Sequence, residues 1–179
     1  SDILFAGLKE DSCYTGLDIG CGAGSTTRRL HETIGVHSKV TGLDISEKLL
    51  NLARAQSKSE QLRYLQADAQ SFEFKPNTFD IVVSRFGVMF FENPVKAFQN
   101  IRSAIKPGCE LRFVCWAPLV LNEFFYAPLN AVTDITGVSL DSPRKEPGPL
   151  AFSDRAYLLS IIQTAGFSSV KINTVETSI

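Results

Sequence analysis

Asp18, Gly20, Gly22 and Gly24 stand at alternate positions in Leu17-Asp18-Ile19-Gly20-Cys21-Gly22-Ala23-Gly24-Ser25-Thr26-Thr27. An acidic residue closing an apolar run, three glycines and a hydroxyl-rich segment describe a strand that turns sharply into a helix. Glycine lets the main chain press against a ligand where a Cβ would stand in the way. The amides that open the following helix then face polar or anionic groups. Every doubly wound nucleotide-binding fold uses such a turn, so its flanking residues decide what it holds. The Asp18 carboxylate would repel a pyrophosphate and attract a ligand with a cationic end. The dinucleotide spacing Gly-x-Gly-x-x-Gly also fails, because Ser25 stands where its third glycine belongs.

Three further polar residues, Asp44, Asp68 and Ser84, each stand at or just beyond the end of an apolar run. These runs read as strands over residues 14–19, 39–43, 62–67 and 79–84, with two more over 111–116 and 170–175. The fourth is too apolar for a one-sided sheet and suits a parallel strand buried on both faces. Gly16 is out of place in the first, where a branched residue would pack better. Between the strands lie helices. Residues 2–8 read as the tail of one, and 25–35 as another with Leu30 and Ile34 inward. Ser46 caps a third, with Leu49, Leu52, Ala53 and Ala55 as its apolar side. Asn93-Pro94 opens a fourth that carries Val95, Phe98, Ile101 and Ile105 as far as Pro107-Gly108. Residues 122–135 read as helical pieces broken by Pro128, and 137–149 as a surface loop with a lid as the minority reading. Ser153 caps a last helix with Leu158, Ile161, Ile162 and Ala165 on one face.

Alternating strand and helix predicts an α/β fold, a doubly wound, mostly parallel Rossmann-like sheet with helices on both faces. Ligands bind such sheets at the carboxyl ends of the strands, near the switch in strand order. Asp18, Asp44, Asp68 and Ser84 therefore form one constellation on one rim. In isolation Asp44 and Asp68 would read as turn or cap residues. Asp44 gains weight from lying about 20 residues beyond the glycine turn.

The 179 residues read as one domain, 1–179, with 44% hydrophobic and 21% charged residues. Eighteen basic and 19 acidic residues leave a net charge of −1, which argues against a broad nucleic-acid surface. Cys13, Cys21, Cys109 and Cys115 form no C-x-x-C pair, and only His31 and His37, read as surface residues, could join them. No metal site is expected, and unpaired cysteines fit a reducing cytoplasm. No stretch approaches a transmembrane segment. Oligomeric state stays open, a dimer included.

The chain resembles the class I S-adenosylmethionine (SAM)-dependent methyltransferases, in particular the small-molecule group of the ubiquinone- and menaquinone-biosynthesis type (methyltransferase type 11). The resemblance rests on the glycine turn and on Gly42-Leu43-Asp44-Ile45-Ser46 and Ala67-Asp68-Ala69. It continues through Phe79-Asp80-Ile81-Val82-Val83-Ser84-Arg85-Phe86-Gly87-Val88-Met89-Phe90-Phe91, Lys106-Pro107-Gly108, Phe113-Val114-Cys115-Trp116 and Pro147-Gly148-Pro149-Leu150-Ala151-Phe152. It implies SAM as cofactor and S-adenosylhomocysteine as product. Asp18 would sit near the methionine ammonium, and Gly20, Gly22 and Gly24 along the methionine and ribose. Asp44 would take both ribose hydroxyls, so that its removal weakens binding with little change in fold. Ile45 would lie on the adenine face, Asp68 and the Ala69 amide would hold the adenine edge, and Ser84 and Arg85 would border the methionine end.

The implied reaction is in-line methyl transfer to a small, apolar or aromatic acceptor. No general base is legible; Arg85, Met89, Trp116 and Glu123 are the positions to watch. Phe90-Phe91 and Phe124-Phe125-Tyr126 read equally as core or as an acceptor pocket. Two other classes stay open: a non-catalytic SAM-binding or scaffold protein, and an NAD(P)-dependent oxidoreductase, which Asp18 and Ser25 disfavour. Cys109 replaces a glycine that often follows Pro107-Gly108. Helices before Asp2 and a seventh, antiparallel strand after Val175 are missing from the family pattern, so the chain is expected to be cut short at both ends.

Overall fold

The computed structural model of the chain describes residues 2–8, 14–137 and 146–176. Among them five strands form one sheet: β1 Thr15–Ile19, β2 Lys39–Asp44, β3 Leu62–Gln66, β4 Phe79–Arg85 and β5 Ile105–Val114. All the pairings are parallel, in the order β3-β2-β1-β4-β5. The helices are α1 Ser25–Ile34, α2 Glu47–Gln56, α3 Pro94–Ala104, α4 Glu123–Thr136 and α5 Arg155–Thr164. The doubly wound α/β architecture read from the alternation of elements is present.

Strand periodicity sorts the core into two layers. Leu17, Ile19 and Val82 face a cluster with Phe98 and Ile101 of α3 and Leu158 and Ile161 of α5. Val40, Ile81 and Val83 face the other side, against Leu30 and Ile34 of α1 and Leu4 and Phe5. Gly16 has its reason here: a Cβ on it would lie 3.0 Å from Leu30 Cδ2, so glycine lets α1 close on β1.

Several expectations need correction. Residues Asp2–Phe5 form a 3-10 helix rather than the tail of an α-helix. The buried side of α2 is Leu50 and Ala53, while Leu49 and Leu52 are exposed. With leucines at 49, 50 and 52, the pattern allowed either face. Helix α3 stops at Ala104, not at Pro107-Gly108, and β5 follows with no loop. The Thr78 amide donates to the Ala104 carbonyl at 2.8 Å and Ile105 pairs with Phe79, so β4 takes over the chain there. Pro107 and Gly108 fall where the register shifts from Phe79↔Ile105 to Ile81↔Glu110, an irregularity that tolerates proline. Helix α4 is a single helix through Pro128. Asp154, not Ser153, caps α5, accepting the amides of Ala156 and Tyr157.

Residues 170–175 form no strand. They alternate as a strand would, but no neighbour pairs with them among the described residues, and alternation alone makes no ladder. Arg155 reaches the Ile172 carbonyl instead, and Val170 to Asn173 line a cleft of about 1120 Å³ along β5. Cys13 and most of the 137–149 loop lie outside the described residues.

Candidate functional site

The strand order reverses between β1 and β4, and the residues expected at the rim gather around that point. Asp18 is the penultimate residue of β1, Asp44 ends β2, Ser84 is the penultimate residue of β4, and Asp68 follows β3 by two residues. Their individual environments differ.

Asp18 is wholly buried. Its Oδ2 accepts the Thr27 hydroxyl at 2.7 Å, which ties the end of β1 to the first turn of α1. Its Oδ1 is buried with no hydrogen-bond partner among the described residues. Burial pushes the pKa up from 3.8 to about 7, opposed by the Thr27 bond and the Arg85 charge and aided by the nearby Asp44. A buried carboxylate oxygen left unpaired costs about 1–3 kcal/mol or more. Such a group suits a donor or cation supplied from outside the chain.

The three glycines of the turn have different reasons. Gly20 has φ +68°, and a Cβ there would lie 2.6 Å from the Gly87 Cα, so two main chains touch. A Cβ on Gly24 would meet Tyr64 Oη at 2.7 Å and the Ala53 Cβ at 2.9 Å, so this glycine seats α1 against β3 and α2. Gly22, with φ +52°, has only Leu49 Cδ1 within 4 Å, at 3.9 Å. Packing therefore dictates Gly20 and Gly24, while among the described residues Gly22 opens onto free space.

Opposite the turn, residues 84–87 act as a brace. Ser84 is wholly buried and donates its hydroxyl to the Ile19 carbonyl at 2.7 Å, so it braces the end of β1 at the rim. Arg85 is exposed and reaches Ser25 Oγ at 3.3 Å, at the start of α1. The Phe86 amide donates to the Val114 carbonyl at 3.0 Å.

Asp44 is half-buried and already employed. Its Oδ2 accepts the Gly22 amide at 2.7 Å and its Oδ1 the Ser46 amide at 2.8 Å. Beside it Ile45 is 72% exposed, a large apolar side chain in the open at the rim. Asp68 is exposed and accepts the Gln70 amide at 2.8 Å, while Ala69 is buried and its carbonyl accepts from Asn100 Nδ2.

Phe86 and Trp116 stack at 4.6 Å between centroids, and Phe125 of α4 meets Trp116 edge-on at 5.0 Å. Phe124 and Phe90 are exposed, whereas Phe91 is core. Of the other positions to watch, Met89 is sealed in the core and Glu123 is exposed at the start of α4. His31 is not a surface residue: it is 7% exposed, and its Nδ1 pairs with the Ser38 carbonyl. Burial foremost, then the charges of Asp18 and Asp44, push the Cys21 thiol up to about 12, as befits a packing residue. Burial holds Cys115 at about 11.

The sequence reading missed Thr27, Leu49, Phe86 and Gly87. Thr27 sits nine residues from Asp18, and only the fold shows that they meet; Leu49 reads from sequence as part of the apolar side of α2. A second cleft, of about 630 Å³, lies along β3. Neither it nor the β5 cleft includes Asp18, Asp44 or the glycine turn. Among the described residues no three His, Cys, Asp or Glu gather as metal ligands would, and no helix is long and apolar enough to cross a membrane.

Comparison with known proteins gives the family and the fold. Residues 17–113 match the family model described as a methyltransferase domain. The demethylmenaquinone methyltransferase of Staphylococcus haemolyticus is 26% identical over 169 residues, 88% of this chain and 70% of that protein. Phosphoethanolamine N-methyltransferase 2 of Caenorhabditis elegans is 36% identical over 97 residues, 52% of this chain and 22% of that one. The structure of Haemonchus contortus phosphoethanolamine N-methyltransferase 2 in complex with S-adenosyl-L-methionine matches with a TM-score of 0.63 at 26% identity. That match covers 91% of this chain and 34% of the other, so the chain spans about a third of that protein.

Proposed function

The chain belongs to the methyltransferase-domain family, and on that footing we propose that it transfers a methyl group from SAM to a small apolar or aromatic acceptor. One observation carries the cofactor assignment. Among the described residues a wholly buried carboxylate, with one oxygen unpartnered, underlies the rim at which Gly22, alone of the turn glycines, has open space.

The residues present fit the cofactor. Asp18 Oδ1 supplies the missing counter-charge for its ammonium, directly or through water. The 20–24 turn follows its methionine and ribose, with Gly22 giving the closest approach. A carboxylate has about four lone-pair sites, so Asp44 retains acceptor capacity for both ribose hydroxyls while holding the two amides. Ile45 and Leu49 cover apolar ring surface, and Asp68 and the Ala69 amide take the adenine edge. Arg85 borders the methionine end, and Ser84 braces the end of β1 through the Ile19 carbonyl. When bound, the sulfonium supplies an already activated methyl group.

The protein's own task is then geometric: to hold the acceptor in line with the sulfur and exclude water, worth up to roughly 7–11 kcal/mol. The apolar acceptor is supported by the exposed aromatic residues that follow β4 and β5, and by the demethylmenaquinone named for the Staphylococcus relative. Calorimetry with SAM, S-adenosylhomocysteine and NADH tests the first half, and turnover to S-adenosylhomocysteine with a panel of phenols and hydroquinones tests the second. Binding of NADH in place of SAM would refute the assignment. SAM binding without turnover of any acceptor would favour a binding protein.

A further inference from the structure

We propose that Phe86 and Trp116 form the wall that takes the acceptor, and that this wall selects a flat conjugated ring rather than apolar bulk in general. The inference rests on the methyltransferase reading and adds the residues that determine its specificity.

The first observation is backbone strain. Among the described residues only Asn77 and Phe86 combine a side chain with positive φ, at 51° and 63°. Asn enters that region routinely, whereas an aromatic residue there is unusual and costs about 1–2 kcal/mol. The cost at Phe86 falls at the switch point of the sheet, between exposed Arg85 and the Gly87 main chain that abuts Gly20. What holds it is contact with the end of β5 and the residues after it: its amide on the Val114 carbonyl, and its ring stacked on Trp116 with the planes 15° apart. Strain held in this way turns a large ring out of the line of β4.

The second observation is what the ring joins. Trp116 follows β5, and Phe125 and Phe124 lie on α4, each ring touching the next at 5.0 and 5.2 Å. Four rings from three separate segments thus stand after the ends of β4 and β5, and Phe86 adjoins Gly87, whose main chain meets Gly20 of the glycine turn. Phe86 and Trp116 are only partly buried and Phe124 is 67% exposed. Aromatic surfaces prefer offset stacks and edge-to-face contacts with other rings. A wall built of them therefore distinguishes a planar guest from a saturated one of equal volume.

Trp116 is the sole tryptophan of the chain, so protein labelled with 5-fluorotryptophan gives one fluorine resonance, from the wall itself. That resonance is followed during titration with 2-naphthol, with decahydro-2-naphthol, and with phosphoethanolamine, each with and without S-adenosylhomocysteine. The expected result is a saturable shift with 2-naphthol at a concentration at least about tenfold below that needed for the saturated alcohol, and none with phosphoethanolamine. Phe86→Leu should weaken 2-naphthol about tenfold and leave the calorimetric affinity for S-adenosylhomocysteine within about threefold. Trp116→Phe, which keeps a ring, should retain most of the naphthol affinity, read by calorimetry. Equal response to the two bicyclic alcohols, or a response to phosphoethanolamine alone, overturns the proposal, as does a resonance that 2-naphthol leaves unmoved. Failure to bind S-adenosylhomocysteine would instead sink the cofactor reading, and the titrations without it still decide the wall.

Discussion

The Asp44 carboxylate accepts the Gly22 amide at 2.7 Å, so the end of β2 holds the shape of the turn after β1. Its second oxygen holds the Ser46 amide, at the N-cap of α2. One side chain thus fixes both walls of the proposed ribose site.

Asp44→Ala should therefore do more than remove a ligand contact. Affinity for SAM should fall by roughly 30- to 1,000-fold, from the loss of about 2–4 kcal/mol of charge-assisted hydrogen bonding. Stability should fall too, by about 1–3 kcal/mol, because two amides lose their acceptor. This departs from the small effect on the fold expected from sequence. Asp44→Asn, with one carbonyl oxygen, should lie between. Calorimetric titration and denaturant unfolding measure the two losses, and a stable, tight-binding Ala variant would refute both.

The glycines of the turn should separate in the same pair of measurements. Gly20→Ala places a Cβ 2.6 Å from the Gly87 Cα at a positive φ, and is expected to cost the fold upwards of about 3 kcal/mol. Gly22→Ala meets only Leu49 at 3.9 Å, so it should lose about 1–2 kcal/mol from backbone strain alone. Its SAM affinity should nevertheless drop at least about tenfold. If Gly22→Ala bound SAM like the parent, the open space above it would not be the cofactor's.

Ser84→Ala distinguishes a support from a ligand contact. The variant removes a buried donor from the Ile19 carbonyl and should lower stability by about 1–3 kcal/mol. SAM affinity should change by less than about threefold. A large loss of affinity at unchanged stability would return Ser84 to the ligand surface.

The rim was legible in the sequence because each of its residues is tied to a strand end, and strand ends can be read from apolar runs and the glycines that follow them. Asp18 and Asp44 could be placed for that reason. What their side chains do could not be read, since the partners lie across the fold: Gly22 on the neighbouring turn for Asp44, Ile19 on the neighbouring strand for Ser84. The direction of α2 was hidden by three leucines within four residues. The start of β5 was hidden because Pro107-Gly108 reads as a stop, while the pairing of Ile105 with Phe79 overrides it. Gly16 and Phe86 broke local rules in the sequence or backbone, and tertiary contacts account for both.

Asp18 makes the last prediction, one of pH. In the unfolded chain its pKa returns to the ordinary 3.8, against about 7 in the fold. Between those values the folded chain keeps a proton that the unfolded chain has released. Its contribution to stability is thus complete below about pH 4 and is lost as pH rises through 7, on the order of 4 kcal/mol in all. Asp18→Asn keeps an acceptor for the Thr27 hydroxyl and cannot ionise, so the parent-minus-variant difference in unfolding free energy should slope downward across that range. Ligand binding should run the other way. A cationic ammonium pairs with the ionised carboxylate, so affinity for S-adenosylhomocysteine should climb about tenfold per pH unit up to 7 and then level off. In Asp18→Asn the affinity should be weaker and flat across the same range. Calorimetric titrations from pH 5.5 to 8.5 test this; parallel profiles for parent and variant would show that Asp18 does not face the ammonium.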